Sequence, residues 1–224
     1  MNYEVHQFEE MPYIIRYPEG FDGRKEYPAI LFLHGAGTRG TALTPLVENP
    51  FFEAIDKLSD FPFVVIAPLC RELCWYDLFS QLKHLVCMIS EMAIVSRNRI
   101  YLMGASMGGY ATWQLAMSIP EYIAAIVPIC GGGIYAFADR LVSVPVWAFH
   151  GEKDTVVYPE ESRKMVDAVK AAGGSAKLTL YPDHDHNAWS DTYANPSVYL
   201  WLLEHENRRS VNLDHRFDDN TRFG

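Results

Sequence analysis

The feature that most constrains this chain is a set of short apolar runs that do not alternate with polar residues. They cover residues 29–33, 63–67, 100–103, 125–129 and 146–149. A strand wetted on one face alternates apolar and polar side chains, whereas a strand covered on both faces reads as a continuous apolar run. Segments of helical periodicity lie between these runs, around residues 51–58, 78–95, 109–119, 160–172 and 196–205. Further strand-like runs at 13–17 and 176–181 flank the set. Strands separated by helices pair as parallel neighbours, with the helices returning across both faces. The expected fold is therefore α/β, a doubly wound, mostly parallel sheet flanked by helices. At 224 residues and 49% hydrophobic content, one domain of this kind accounts for the chain. We assign residues 1–206 to it and read 207–224, which turns polar, as a loosely held tail.

One connection carries chemistry. The run ending at Met103 leads into Gly104-Ala105-Ser106-Met107-Gly108-Gly109, and a helical pattern (Tyr110, Trp113, Gln114, Met117) then runs to Pro120. A strand, a sharp Gly-x-Ser-x-Gly turn and a helix form a nucleophile elbow, with glycines where side chains would strike the neighbouring backbone. The alternative is a Gly-rich turn with a buried hydroxyl; the flanking strand and helix favour the elbow. A serine hydroxyl needs a base to attack at neutral pH, and that base needs a carboxylate to fix its tautomer. In an elbow fold the order is Ser, then Asp or Glu, then His, on loops after later strands. Asp154 follows the 146–149 run and His186 follows the 176–181 run, in that order. His184 competes with His186 for the base. Their His-x-His spacing could also serve a metal, but no third ligand accompanies it, and we expect neither metal nor cofactor. His150 and His34 read as packed supports. His34-Gly35-Ala36-Gly37 closes the 29–33 run, where backbone amides should face a developing oxyanion. Ala36 or Gly37, together with Met107, are the candidate donors.

Composition removes other classes. A net charge of −9 without a basic patch argues against nucleic acid. No run is long enough to span a membrane, and the first residues lack the pattern of a secretory signal, so a cytoplasmic protein is expected. Cys70, Cys74, Cys87 and Cys130 are too sparse for a disulfide framework and read as free thiols. Only residues 131–143 separate the strand after the elbow helix from the strand before Asp154, so no large cap domain is expected.

The chain resembles the compact esterases of the α/β-hydrolase superfamily, neighbours of feruloyl and acetyl-xylan esterases, polyhydroxybutyrate depolymerases and prolyl-oligopeptidase catalytic domains. The resemblance rests on four segments: 33–40, 100–110, 147–154, and 186–189 with the final helix. It implies a serine carboxylic ester hydrolase acting through Ser106, His186 and Asp154 and an acyl-enzyme, on small or carbohydrate-linked esters. It selects His186 over His184, because the family's histidine precedes Asn and a small residue before Trp. It also suggests Trp75 as an aromatic beside the substrate, although an ordinary packed aromatic fits equally. Relatives often carry glycine where Asp185 stands. The alternatives are an amidase or peptidase of the prolyl-oligopeptidase type, since the triad chemistry is shared, and a non-catalytic binding protein on the same scaffold.

Overall fold

The computed structural model describes residues 3–207. Eight strands form one sheet: β1 (Tyr3–Phe8), β2 (Met11–Arg16), β3 (Tyr27–Leu33), β4 (Val64–Pro68), β5 (Val95–Ala105), β6 (Ala125–Ile129), β7 (Val146–Gly151) and β8 (Ala176–Tyr181). Their spatial order is β1-β2-β4-β3-β5-β6-β7-β8. The pairs β1–β2 and β2–β4 are antiparallel, and all others are parallel. Seven helices complete the domain: α1 (Thr44–Val47), α2 (Pro50–Ile55), α3 (Phe79–Glu91), α4 (Met107–Ser118), α5 (Glu160–Ala171), α6 (Trp189–Ala194) and α7 (Pro196–Leu203). Among the described residues no helix is long and apolar enough to cross a membrane.

The central strands supply both faces of the core by simple alternation. Ala29, Leu31 and Leu33 of β3 join Leu82 and Leu85 of α3, Trp113 of α4 and Met165 of α5. Ile30 and Phe32 point the other way, into a second core with Phe51 and Phe52 of α2, Tyr193 of α6 and Leu202 of α7. This double burial explains the continuous apolar runs. Both α2 and α7 start from an Asn-Pro pair, with Asn49 and Asn195 accepting the N–H groups of Phe51 and Ser197. The asparagine caps an orphan donor, and proline fits the first turn because it has none to lose.

Three local expectations need correction. The helix read over 78–95 ends at Glu91, and Val95 already pairs with Tyr27 as β5 begins. The helix read from residue 109 begins two residues earlier, at Met107. β1 was not anticipated, because an edge strand with little buried surface carries the polar pattern of Glu4, His6 and Gln7. Between β6 and β7 lies only a 3-10 segment, Tyr135–Leu141, so no cap domain covers the sheet. Asn207 is anchored, its amide donating to Asn98 O at 2.8 Å. The remainder of the expected tail, 208–224, lies outside the described residues.

Phe32 is the hub of the second core. Its ring stacks on Phe51 at 4.0 Å and meets Tyr193 edge-on at 5.7 Å. Phe32→Ala should therefore cost about 3–5 kcal/mol, read as a fall in the urea midpoint at unchanged slope.

Candidate active site

β5 delivers the chain to Ser106 at the C-terminal edge of the sheet, and α4 leaves at once beneath it. Ser106 adopts φ +55°, ψ −117°. Its amide donates to Ile129 O at 2.8 Å, and its carbonyl accepts from Tyr110 N–H at 3.0 Å. Positive φ in a residue with a side chain costs on the order of 1–3 kcal/mol and persists only where surrounding contacts enforce it. Two glycines permit the crossing. A Cβ on Gly108 would lie 1.8 Å from Leu33 O, and one on Gly104 would lie 2.4 Å from Gly108 O.

The turn presents the Ser106 hydroxyl to the loop after β8. His186 Nε2 lies 2.8 Å from Ser106 Oγ, and His186 Nδ1 lies 2.6 Å from Asp154 Oδ2. The carboxylate can only accept, so Nδ1 carries the ring proton and Nε2 is free to take one from the serine. The other oxygen, Asp154 Oδ1, accepts from the amides of Val156 and Val157, each at 2.9 Å. Burial alone would push this carboxyl up. The bond from His186 and the two amides outweigh burial and hold it below the ordinary aspartate range. Asp154 thus stays a carboxylate although its side chain is fully buried.

The loop after β3 approaches from the opposite side. His34 Nε2 accepts the Cys70 N–H at 3.0 Å, which places the ring proton on Nδ1, 2.8 Å from Gly35 O. Trp75 donates its indole N–H to His34 O at 3.0 Å. Arg39 donates from Nε to Ala36 O at 2.9 Å and also reaches Leu73 O. These bonds fix the carbonyls of His34, Gly35 and Ala36. Among the described residues the amides of Ala36, Gly37 and Met107 meet no acceptor.

Ser106, His186, Ala36 and Gly37 share the wall of one cavity of about 440 Å³. Asn49, Pro50, Val156, Trp189 and Tyr193 complete most of it. Met107 follows Ser106 but does not line this space, and Asp154 lies behind His186. Trp75, suggested as a neighbour of the substrate, does not reach the cavity. It is 1% exposed and packs against the His34 ring at 4.9 Å, so it supports the loop from beneath. His184 is engaged elsewhere, by Asp191 at 3.0 Å. The Asp185 carboxylate accepts the N–H of Asn187 at 3.0 Å, within its own turn. A larger depression of about 740 Å³, beside Glu9, Glu10 and Asp77, contains none of these groups. The sequence alone marks none of Asn49, Pro50, Val156 and Tyr193 as cavity residues, and Trp189 serves there only to mark the histidine segment. Asn49-Pro50 carries the pattern of a helix start, and Tyr193 that of a core aromatic.

A central parallel sheet with a strand–elbow–helix crossing at its C-terminal edge defines an α/β-hydrolase. Residues 69–199 match the dienelactone hydrolase family, and the chain belongs to that family. It superimposes on a thermostable esterase with a TM-score of 0.76 at 30% identity, over 91% of this chain and 63% of that one. It is 25% identical over 111 residues to a bifunctional acetylxylan esterase/xylanase of Neocallimastix patriciarum, covering 48% of this chain and 16% of that protein. It is 23% identical over 220 residues to dipeptidyl-peptidase 5 of Porphyromonas gingivalis, covering 75% of this chain and 32% of that protein. The chain thus spans a third or less of these curated relatives.

His34 makes this site sensitive to acid. Burial, the largest influence, lowers its pKa from 6.5 to about 4. The unfolded chain therefore binds this proton near pH 6.5, whereas the folded chain resists it until near 4. The resulting stability is complete above pH 6.5 and disappears as pH falls to 4, an effect on the order of 3 kcal/mol. Urea unfolding measured between pH 7 and 4 should show this slope in wild type and a shallower one in His34→Gln.

Proposed function

We propose that this chain is a serine carboxylic-ester hydrolase. The observation that carries the reading is the continuous hydrogen-bonded line Asp154–His186–Ser106, opening on a cavity with unpaired amides. Ser106 Oγ attacks the ester carbonyl while His186 Nε2 takes its proton. Asp154 stays ionised, holding the imidazole in its reactive tautomer and stabilising the imidazolium. The amides of Met107 and of Ala36 or Gly37 receive the negative charge that forms on the carbonyl oxygen; one such donor is typically worth about 3 kcal/mol. The alcohol departs with the proton from His186. Water then enters, loses a proton to the same nitrogen and bonds to the acyl carbon; the carbon–Oγ bond breaks as His186 returns that proton to Ser106, and the acid leaves. Every proton transfer uses groups of this chain, and the scheme calls for no cofactor.

The cavity walls of Pro50, Val156, Trp189 and Tyr193 suit an apolar group of modest size on one side of the ester. Similarity to an acetylxylan esterase supports small, carbohydrate-linked esters as substrates. A peptidase is the second reading, favoured by similarity to a dipeptidyl-peptidase.

Hydrolysis of p-nitrophenyl acetate and butyrate, set against dipeptidyl p-nitroanilides, separates the two. We expect ester turnover in wild type and a loss of at least about 10⁴-fold in Ser106→Ala and in His186→Ala. Ester turnover that survives both substitutions would overturn the assignment. Turnover of anilides alone would move it to the peptidases.

A further inference from the structure

Asp154 Oδ2 has a second neighbour that the reaction scheme does not use. His150, near the end of β7, is 0% exposed, and its Nε2 lies 3.2 Å from Oδ2 and 2.8 Å from Val157 O. Both neighbours are acceptors with no proton to give, so Nε2 carries the ring proton. Burial, the dominant influence, holds His150 below the ordinary histidine range and so keeps the ring neutral with that single proton. The other edge is pinned as well. With Nε2 protonated, Nδ1 is an acceptor 2.8 Å from Ser162 Oγ, in the first turn of α5, and Gly131 O, 2.8 Å from the same oxygen, competes for its one proton. Ser162 is fully buried.

Every element around the carboxylate adds to this picture. From the end of β6, the Cys130 thiol lies within 4.8 Å of the facing atoms of His150 and Asp154. Burial pushes that thiol up to about 12, so it remains protonated. Tyr110 of α4, its hydroxyl raised chiefly by burial and then by Glu161 and Asp154, is likewise uncharged. Glu161 of α5 is a further carboxylate acting on Tyr110, and among the described residues no lysine or arginine pairs with Asp154. The acid of the triad is thus held by two amides on Oδ1 and by His186 on Oδ2, with the His150 ring edge 3.2 Å from Oδ2 and its N–H directed to Val157 O.

We propose that His150 is a positioning residue for Asp154, one that fixes the carboxylate for His186 and draws off part of its basicity. Two histidines then share one oxygen. His186 at 2.6 Å takes the short bond, and His150 at 3.2 Å, anchored by Ser162 and Val157, sets where that oxygen stands. Removing the His150 N–H leaves the Val157 carbonyl unmet and takes the polar ring edge away from Asp154 Oδ2. It also leaves Asp154 holding the proton of the His186 imidazolium more tightly.

This inference rests on the hydrolase reading, so its test includes a measurement that needs no turnover. The variants are His150→Leu, His150→Gln, whose amide can reach both acceptors, and Ser162→Ala, which frees the far nitrogen without removing bulk at the acid. In His150→Leu we expect kcat to fall about tenfold at nearly constant KM, equivalent to one charge-assisted hydrogen bond. The acid limb of kcat/KM should rise by about half a unit to one unit. Ser162→Ala should shift it less, in the same direction, and His150→Gln should restore it. The low-field proton resonance of His186 Nδ1–H should move in His150→Leu and return in His150→Gln. Loss of activity that tracks Tm alone, with limb and resonance unmoved in His150→Leu or in Ser162→Ala, would overturn the proposal. A wild type inert toward esters would overturn the hydrolase reading instead, leaving the resonance to decide the role of His150.

Discussion

The site depends on one close approach, where the first turn of α4 passes under the end of β3. Leu33 O occupies space that a side chain at 108 would need, and Gly108 O occupies space that one at 104 would need. Backbone therefore packs on backbone. This lets α4 start immediately after Ser106, with the serine held at positive φ on the crest of the turn. The same contact sets the start of the 34–38 loop, because that loop begins where Leu33 ends. The strained serine and the 34–38 loop beside it are thus positioned by one piece of packing, and the strain is offset by the β3–β5–β6 core around it.

Two buried histidines brace the two sides of this crest by the same means. His34 stays neutral, accepts one amide and donates to the neighbouring carbonyl, so the loop is held by both ring nitrogens. His150 likewise uses both nitrogens, one against Ser162 and one against Val157 O and Asp154. Each joins segments far apart in sequence, which a hydrophobic side chain of equal volume could fill but not orient. Both rings resist protonation because burial penalises the charged form. His186 differs in one respect. Its ring keeps some contact with solvent and with the cavity, the setting a proton-transferring group needs.

Much of this was legible in the residues, and the parts that were not share a physical cause. The runs 29–33, 63–67 and 125–129 declare central strands because both faces are covered, and the order of Ser106, Asp154 and His186 declares which loops should meet. β1 stayed hidden because none of its residues is fully buried and Glu4, His6 and Gln7 interrupt its apolar positions, a pattern shared with loops. The helix read through residue 95 overran because Ile94 and Val95 extend an apolar periodicity, while Val95 in fact pairs with Tyr27. Trp75 illustrates a deeper limit. An aromatic side chain earns the same sequence pattern in a cavity wall and in a core, and only the fold turned its indole toward His34 O. The cavity itself was unreadable because Asn49, Val156 and Tyr193 come from three separate loops or helices.

That convergence shows how a walled cavity forms although, among the described residues, only a 3-10 segment lies between β6 and β7. The helices α2 and α6 face each other beside the crest, with Phe51 and Tyr193 meeting edge-to-face at 5.2 Å. Tyr193 is therefore both a member of the core and a wall of the cavity. Asn49 is similarly shared: its side chain caps α2 and donates to Thr38 Oγ1 at 3.2 Å, tying the helix start to the loop that bears the unpaired amides. A substrate seated there presses on residues that the second core already fixes. The pocket gains its rigidity from packing that exists before any ligand arrives, which limits the ordering cost of binding. The cavity wall formed by Pro50, Trp189 and Tyr193 belongs to the α2–α6 side, whereas Tyr76, Tyr135 and Tyr158 stand exposed on the segments that follow β4, β6 and β7.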